Sequence, residues 1–96
     1  MISTHVLDTE LGRPAAGVRV ELYKGDKLVG SGETDADGRI AELASDLDAG
    51  TYRLVFFPAS SPFFKKVEVE VALDDAGSYH VPLLISPYSC TSYRGS

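Results

Sequence analysis

Apolar and polar residues alternate with a period of two along most of this chain, and Gly, Asp and Pro clusters interrupt the alternation at short intervals. A strand is expected near Ser3–Asp8, ending in a Gly12-Arg13-Pro14 turn. Val18-Arg19-Val20-Glu21-Leu22 alternates apolar with charged residues, Gly25-Asp26 turns the chain, and a strand over Lys27–Thr34 follows. Asp35-Ala36-Asp37-Gly38 forms a tight turn, because Asp side chains bond nearby backbone amides and Gly accepts positive φ. Arg39 opens the short strand after it. The connection Ala44–Asp48 is the one place where a helical turn is expected, ahead of the aromatic and β-branched run Gly50–Phe56. Pro58 and Pro62 bracket a loop, and Val67-Glu68-Val69-Glu70-Val71 is the plainest one-faced strand, its valines directed to the core. A turn at Asp74-Asp75-Ala76-Gly77 leads to strands over Tyr79–Ile85 and Thr91–Arg94, with Ser86-Pro87 between them.

Seven or eight short strands with almost no helical periodicity indicate an all-β fold, a two-sheet antiparallel β-sandwich. A length of 96 residues suits one domain over 1–96, and 44% hydrophobic with 24% charged residues is the composition of a folded chain. The net charge of −5, with no basic cluster beyond Lys65-Lys66, argues against a nucleic-acid partner. Apolar runs such as Val81–Ile85 are far shorter than the roughly 20 residues of a membrane-spanning helix, so no membrane partner is expected. Strand-like sequence begins almost at once, which points to a cytoplasmic protein, although an export signal already removed stays compatible with it. The single cysteine, Cys90, allows no internal disulfide and reads as a packed side chain rather than a nucleophile.

Candidate chemistry is sparse. Hydrolysis without a cofactor needs a group that exchanges a proton near neutral pH, and the only two histidines are His5 and His80. Strand alternation puts His5 on a face with Ser3 and Leu7, and His80 on a face with Pro82 and Leu84, in both cases opposite the core-facing residues. Pro82 cannot donate to a ladder, so a local break is expected beside His80. Arg39 offers a guanidinium fork for an anionic or polar ligand. Tyr93-Arg94-Gly95-Ser96 concentrates hydrogen-bonding groups at the end of the chain. Each of these features also has an ordinary reading: two surface histidines, a solvated arginine at a strand start, a frayed terminus. No Gly-rich phosphate loop, metal-ligand spacing or Gly-x-Ser-x-Gly elbow is present.

Five segments together resemble a known family: Ser3-Thr4-His5-Val6-Leu7-Asp8, Gly12-Arg13-Pro14-Ala15, Thr34-Asp35-Ala36-Asp37-Gly38-Arg39, Tyr79-His80-Val81-Pro82-Leu83-Leu84 and Tyr93-Arg94-Gly95-Ser96. They are similar to the 5-hydroxyisourate hydrolases, the enzymatic branch of the transthyretin-related (prealbumin-like) proteins, over nearly the whole chain. The middle motifs are shared with other prealbumin-like modules, so the two ends carry the distinction. His5, His80 and the closing Tyr-Arg-Gly-Ser occur together in the hydrolases, whereas the hormone-carrying transthyretins replace them.

That resemblance implies a transthyretin-like sandwich of two four-stranded sheets. It implies hydrolysis of 5-hydroxyisourate to 2-oxo-4-hydroxy-4-carboxy-5-ureidoimidazoline in purine (urate) catabolism, without a cofactor, by a homotetramer built as a dimer of dimers. His5, Arg39 and His80 would form the catalytic set, and Tyr93, Arg94, Gly95 and Ser96 would shape the substrate pocket. The alternative is a non-catalytic prealbumin-like binding or carrier module. Two departures from the family pattern stand out: Cys90-Thr91-Ser92 where Tyr-Ser-Thr is usual, and a Phe57–Phe64 stretch too short and Pro-rich for the usual short helix.

Overall fold

The first strand, β1 (Ile2–Asp8), buries every second residue, so that Ile2, Thr4, Val6 and Asp8 point inward while Ser3, His5 and Leu7 stand half-exposed on the other face. This computed structural model describes residues 1–74 and 77–96, and the Asp75-Ala76 part of the expected turn lies outside the described residues. β1 is the centre of one sheet. On one side it pairs antiparallel with β5 (Arg39–Ala44) and, at its far end, with β2 (Arg13–Pro14). On the other side it runs parallel to β8 (Tyr79–His80) and then β9 (Leu83–Ile85), with β10 (Cys90–Ser92) antiparallel to β9 at the edge. The second sheet is fully antiparallel, in the order β4 (Lys27–Glu33), β3 (Arg19–Lys24), β6 (Gly50–Phe57) and β7 (Val67–Leu73).

The core lies between the two sheets. Ile2, Val6, Leu83 and Ile85 from the first sheet pack with Val20, Leu22, Leu54 and Phe56 from the second, all eight fully buried. Because side chains alternate along each strand, burying these residues fixes which residues face outward. The sandwich is therefore what places Ser3, His5, Arg39 and His80 on one outer surface.

The expected antiparallel sandwich is present, with three local differences. The seam between β1 and β8/β9 is parallel, joining the two ends of the chain. Among the described residues there are ten strand segments rather than seven or eight. One addition is the two-residue β2: the Asp8 carboxylate accepts the amides of Glu10 and Leu11 at 3.0 Å, which tightens the turn to residues 9–12 and returns Arg13-Pro14 to β1. The other comes from the break in Tyr79–Ile85, which splits it at Val81-Pro82. No helical turn forms in Ala44–Asp48; Ala44 ends β5, and Asp46 takes φ 54, outside the helical region. The Phe57–Phe64 stretch holds no helix either.

The break is stitched by hydroxyls. The Val81 carbonyl accepts the buried Thr4 hydroxyl at 2.6 Å, and the Pro82 carbonyl accepts the Ser92 hydroxyl at 2.9 Å. Every buried side-chain polar atom among the described residues has a partner. Replacing Thr4 by the isosteric Val leaves the Val81 carbonyl without its donor, and is expected to cost about 1–3 kcal/mol of stability. Urea unfolding reads this as a lowered midpoint at unchanged slope; an unmoved midpoint removes the stitch from the account.

Candidate active site

Arg39 is placed by its turn. The Asp35 carboxylate accepts the backbone amides of Asp37 and Arg39, each at 2.9 Å, and Asp35 and Arg39 exchange a further backbone bond. Gly38 sits at φ 74, and a Cβ there would meet the Val6 carbonyl oxygen at 2.5 Å. The Gly38 carbonyl also accepts the Val6 amide at 2.8 Å. Only glycine allows the turn to close this tightly against β1. Arg39 consequently pairs in register with His5, and directly opposed residues project to the same face.

His5 Nε2 lies 2.9 Å from the Asp37 carbonyl oxygen. A carbonyl only accepts, so Nε2 carries the proton and the neutral ring keeps its lone pair on Nδ1. The Asp35 turn therefore positions both the cation and the orientation of the first imidazole.

His80 is held on two edges. Its Cα pairs with that of Ser3 across the parallel seam, and the Ser3 hydroxyl lies 2.9 Å from His80 Nδ1. On another edge, the chain end returns antiparallel, with the Gly95 amide donating to the His80 carbonyl at 2.7 Å. A Cβ on Gly95 would meet His80 Cδ2 at 2.5 Å, so the ring occupies space that only glycine leaves open. Burial pushes the His80 pKa below the usual imidazole value, and the charges of Arg39 and His5 add to that effect. Near neutral pH His80 is thus a neutral proton acceptor. Ser3 and His5 are two residues apart on one face of β1, so the two histidines stand about 8 Å apart at Cα from strand spacing and rise.

A cleft of about 430 Å³ opens beside this group, lined by Ser3, Arg39, Ser78, Tyr79, His80, Gly95 and Ser96. Of the sequence-derived candidates, Arg39, His80, Gly95 and Ser96 line this cleft, while His5 stands outside the lining as the register partner of Arg39. Tyr93 and Arg94 do not: they line a separate cleft of about 310 Å³ against Val69 and Val71 of β7, where the Arg94 guanidinium lies 4.6 Å from the centre of the Tyr79 ring. Cys90 is half-buried against the core. No group of three His, Cys, Asp or Glu side chains among the described residues is arranged to hold a metal. Sequence reasoning missed Ser3, Ser78 and the Asp37 carbonyl. Ser3 had a signal, its place two residues before His5 on the same face, but a backbone carbonyl leaves no trace in a residue pattern.

Two oriented imidazoles share one face with a guanidinium, which sets proton-exchanging groups near a fixed positive charge. That combination serves general-base attack on a carbonyl and stabilisation of the oxyanion it produces.

Comparison with known proteins gives consistent results. Residues 2–95 match the model of the HIUase/Transthyretin family. The chain is 40% identical over 114 aligned positions to 5-hydroxyisourate hydrolase 2 of Rhizobium meliloti, covering 99% of this chain and 95% of that one. The solved structure of 5-hydroxyisourate hydrolase from Klebsiella pneumoniae superposes with a TM-score of 0.91 at 33% identity, covering 99% and 98% of the two chains. Sea bream transthyretin in complex with thyroxine gives a TM-score of 0.86 at 29% identity, covering 98% and 93%.

The contact between Gly95 and His80 makes a direct prediction. Gly95→Ala is expected to turn the His80 ring away, shifting its proton and nitrogen resonances and lowering any reaction that depends on it at least tenfold, for a misplacement of about 1 Å. Unchanged His80 resonances in the variant mean that glycine is not required there.

Proposed function

We propose, from the premise that this chain belongs to the HIUase/Transthyretin family, that it hydrolyses 5-hydroxyisourate to 2-oxo-4-hydroxy-4-carboxy-5-ureidoimidazoline in urate catabolism. The observation that carries the reading is the convergence of His5, Arg39 and His80 on one face beside an open cleft, with both rings fixed in orientation. A binding or carrier module has no need for two oriented imidazoles beside a guanidinium.

In the mechanism we infer, His80 Nε2 takes a proton from water as the oxygen attacks a ring carbonyl of the substrate. The negative charge that develops on the carbonyl oxygen is stabilised by the Arg39 guanidinium. When the tetrahedral adduct collapses, the ring C–N bond breaks and the leaving nitrogen recovers the proton. His5, with its lone pair on Nδ1, holds the water or a substrate N–H in line. The chemistry calls on no metal or organic cofactor. Ser96 contributes a hydroxyl at the cleft rim, while Tyr93 and Arg94, in the separate cleft against β7, take no part in these steps. The assembly we propose is a cytoplasmic homotetramer; the open edges of β7 and β10 support association, since they leave backbone groups for a second copy to pair.

Freshly generated 5-hydroxyisourate, followed by its ultraviolet absorbance, is the direct test. The protein is expected to accelerate its loss, and His80→Ala to reduce that acceleration by about 10²–10⁴-fold, the usual worth of a general base. A rate with the unaltered protein equal to buffer sinks the hydrolase.

The pH dependence has a definite sign. The active form of His80 is neutral, and its pKa lies below the ordinary value of about 6.5, so the rate should rise with pH, bend below 6.5 and stay level through neutrality. A profile flat from pH 5 to pH 8, or a bend unaltered in the residual activity of His80→Ala, removes His80 from the role of base.

A further inference from the structure

We infer that Ser3 is a positioning residue for the reaction, which directs His80 Nε2 into the cleft and stabilises the imidazolium that forms there. This rests on His80 being the base.

The argument begins with the ring's edges. Nδ1 is occupied by the Ser3 hydroxyl at 2.9 Å, and Cδ2 lies against Gly95. The nitrogen left for a reacting molecule is Nε2. For it to accept a proton, the neutral ring must carry its hydrogen on Nδ1, and that hydrogen needs an acceptor. The Ser3 oxygen is that acceptor. The serine's own proton has somewhere to go, because the carbonyl oxygen of Tyr79, the residue before Ser3's partner in the seam, lies 3.5 Å from Oγ. The chain Nδ1–H to Oγ–H to carbonyl is therefore complete on one side of the ring.

Charge sharpens the requirement. Among the described residues, the ionisable side chains whose charge acts on His80 are Arg39 from β5 and His5 from β1, and the returning chain end brings Gly95 and Ser96, whose side chains carry no charge. Neither ionisable neighbour favours a positive imidazole. When water gives up its proton to Nε2, Nδ1–H becomes a donor from a cation, and a hydrogen bond from a charged donor is about twice as strong as a neutral one. Ser3 thus stabilises His80 more after proton transfer than before it. A group with that difference speeds the step rather than merely holding the ring.

Register explains why this position serves. Ser3 and His80 are Cα partners in the parallel seam, and period-two alternation puts Ser3 on the same face as His5. One strand, β1, so delivers both the first histidine and the orienting hydroxyl of the second.

The test uses Ser3→Ala and Ser3→Thr in the full chain, with two independent readouts. Nitrogen-15 spectra of the histidine rings across a pH titration should show His80 in the Nδ1–H form in the unaltered protein. In Ser3→Ala that bias is lost and the His80 titration moves to lower pH. Turnover of 5-hydroxyisourate should fall roughly tenfold in kcat with little change in KM, the pH bend moving with the titration, and Ser3→Thr should restore both. An unchanged tautomer and titration in Ser3→Ala overturns the inference, even if activity falls, since a loosened strand would do that alone. An inactive unaltered protein instead sinks the hydrolase reading, while the ring spectra still decide whether Ser3 governs His80.

Discussion

The parallel pairing of β1 with β8 and β9 is the constraint on which the remaining structure depends. It closes the first sheet by joining segments some 77 residues apart, and it runs through the deepest part of the core at Ile2, Val6, Leu83 and Ile85. The same pairing sets Ser3 against His80 on the outer face. One ladder thus has a buried side that stabilises the fold and an outer side that assembles the site. A slip of one residue would turn His5 inward and Val6 outward, so the apolar face protects the register of the polar one.

The proline in the second partner makes this seam useful. An unbroken strand over Tyr79–Ile85 would be a plain ladder, but Pro82 brings no N–H and the pairing lapses at Val81-Pro82. The Val81 and Pro82 carbonyls accept the hydroxyls of Thr4 and Ser92, so both carbonyls at the interruption have a partner. The chain end then lies beside His80 through Gly95. Irregular backbone and the candidate site thus meet at adjacent residues, with His80 paired to Ser3 on one edge and to Gly95 on the other.

Much of this was legible in the sequence. Period-two alternation gave the faces of His5 and His80, since core burial on a strand dictates what stands opposite. Asp35, Asp37 and Gly38 announced the turn, and Arg39 was readable as the residue it delivers. Pro82 announced the break. What escaped was whatever depends on partners distant in sequence. That β1 pairs parallel to β8, that the Asp37 carbonyl fixes the His5 tautomer, and that Tyr93 and Arg94 face β7 rather than the histidines are facts of tertiary packing. The expected helical turn at Ala44–Asp48 failed because β5 runs on to Ala44 and Asp46 takes a positive φ. Arg13-Pro14, read as a turn, became a strand because Asp8 closes the turn earlier.

The long reach of the parallel seam bears on how the molecule folds. Bringing Ser3 to His80 requires closure of nearly the whole chain into one loop, and such contacts form late and slowly, because their entropy is lost before their energy is gained. The meeting of Ser3, His80 and Gly95 therefore depends on that closure, whereas the pairing of His5 with Arg39 needs only β1 and β5. The integrity of the candidate site is thus tied to the closure of the sandwich. An opening that peels β1 from β8 would undo the core seam and the pairing of Ser3 with His80 together.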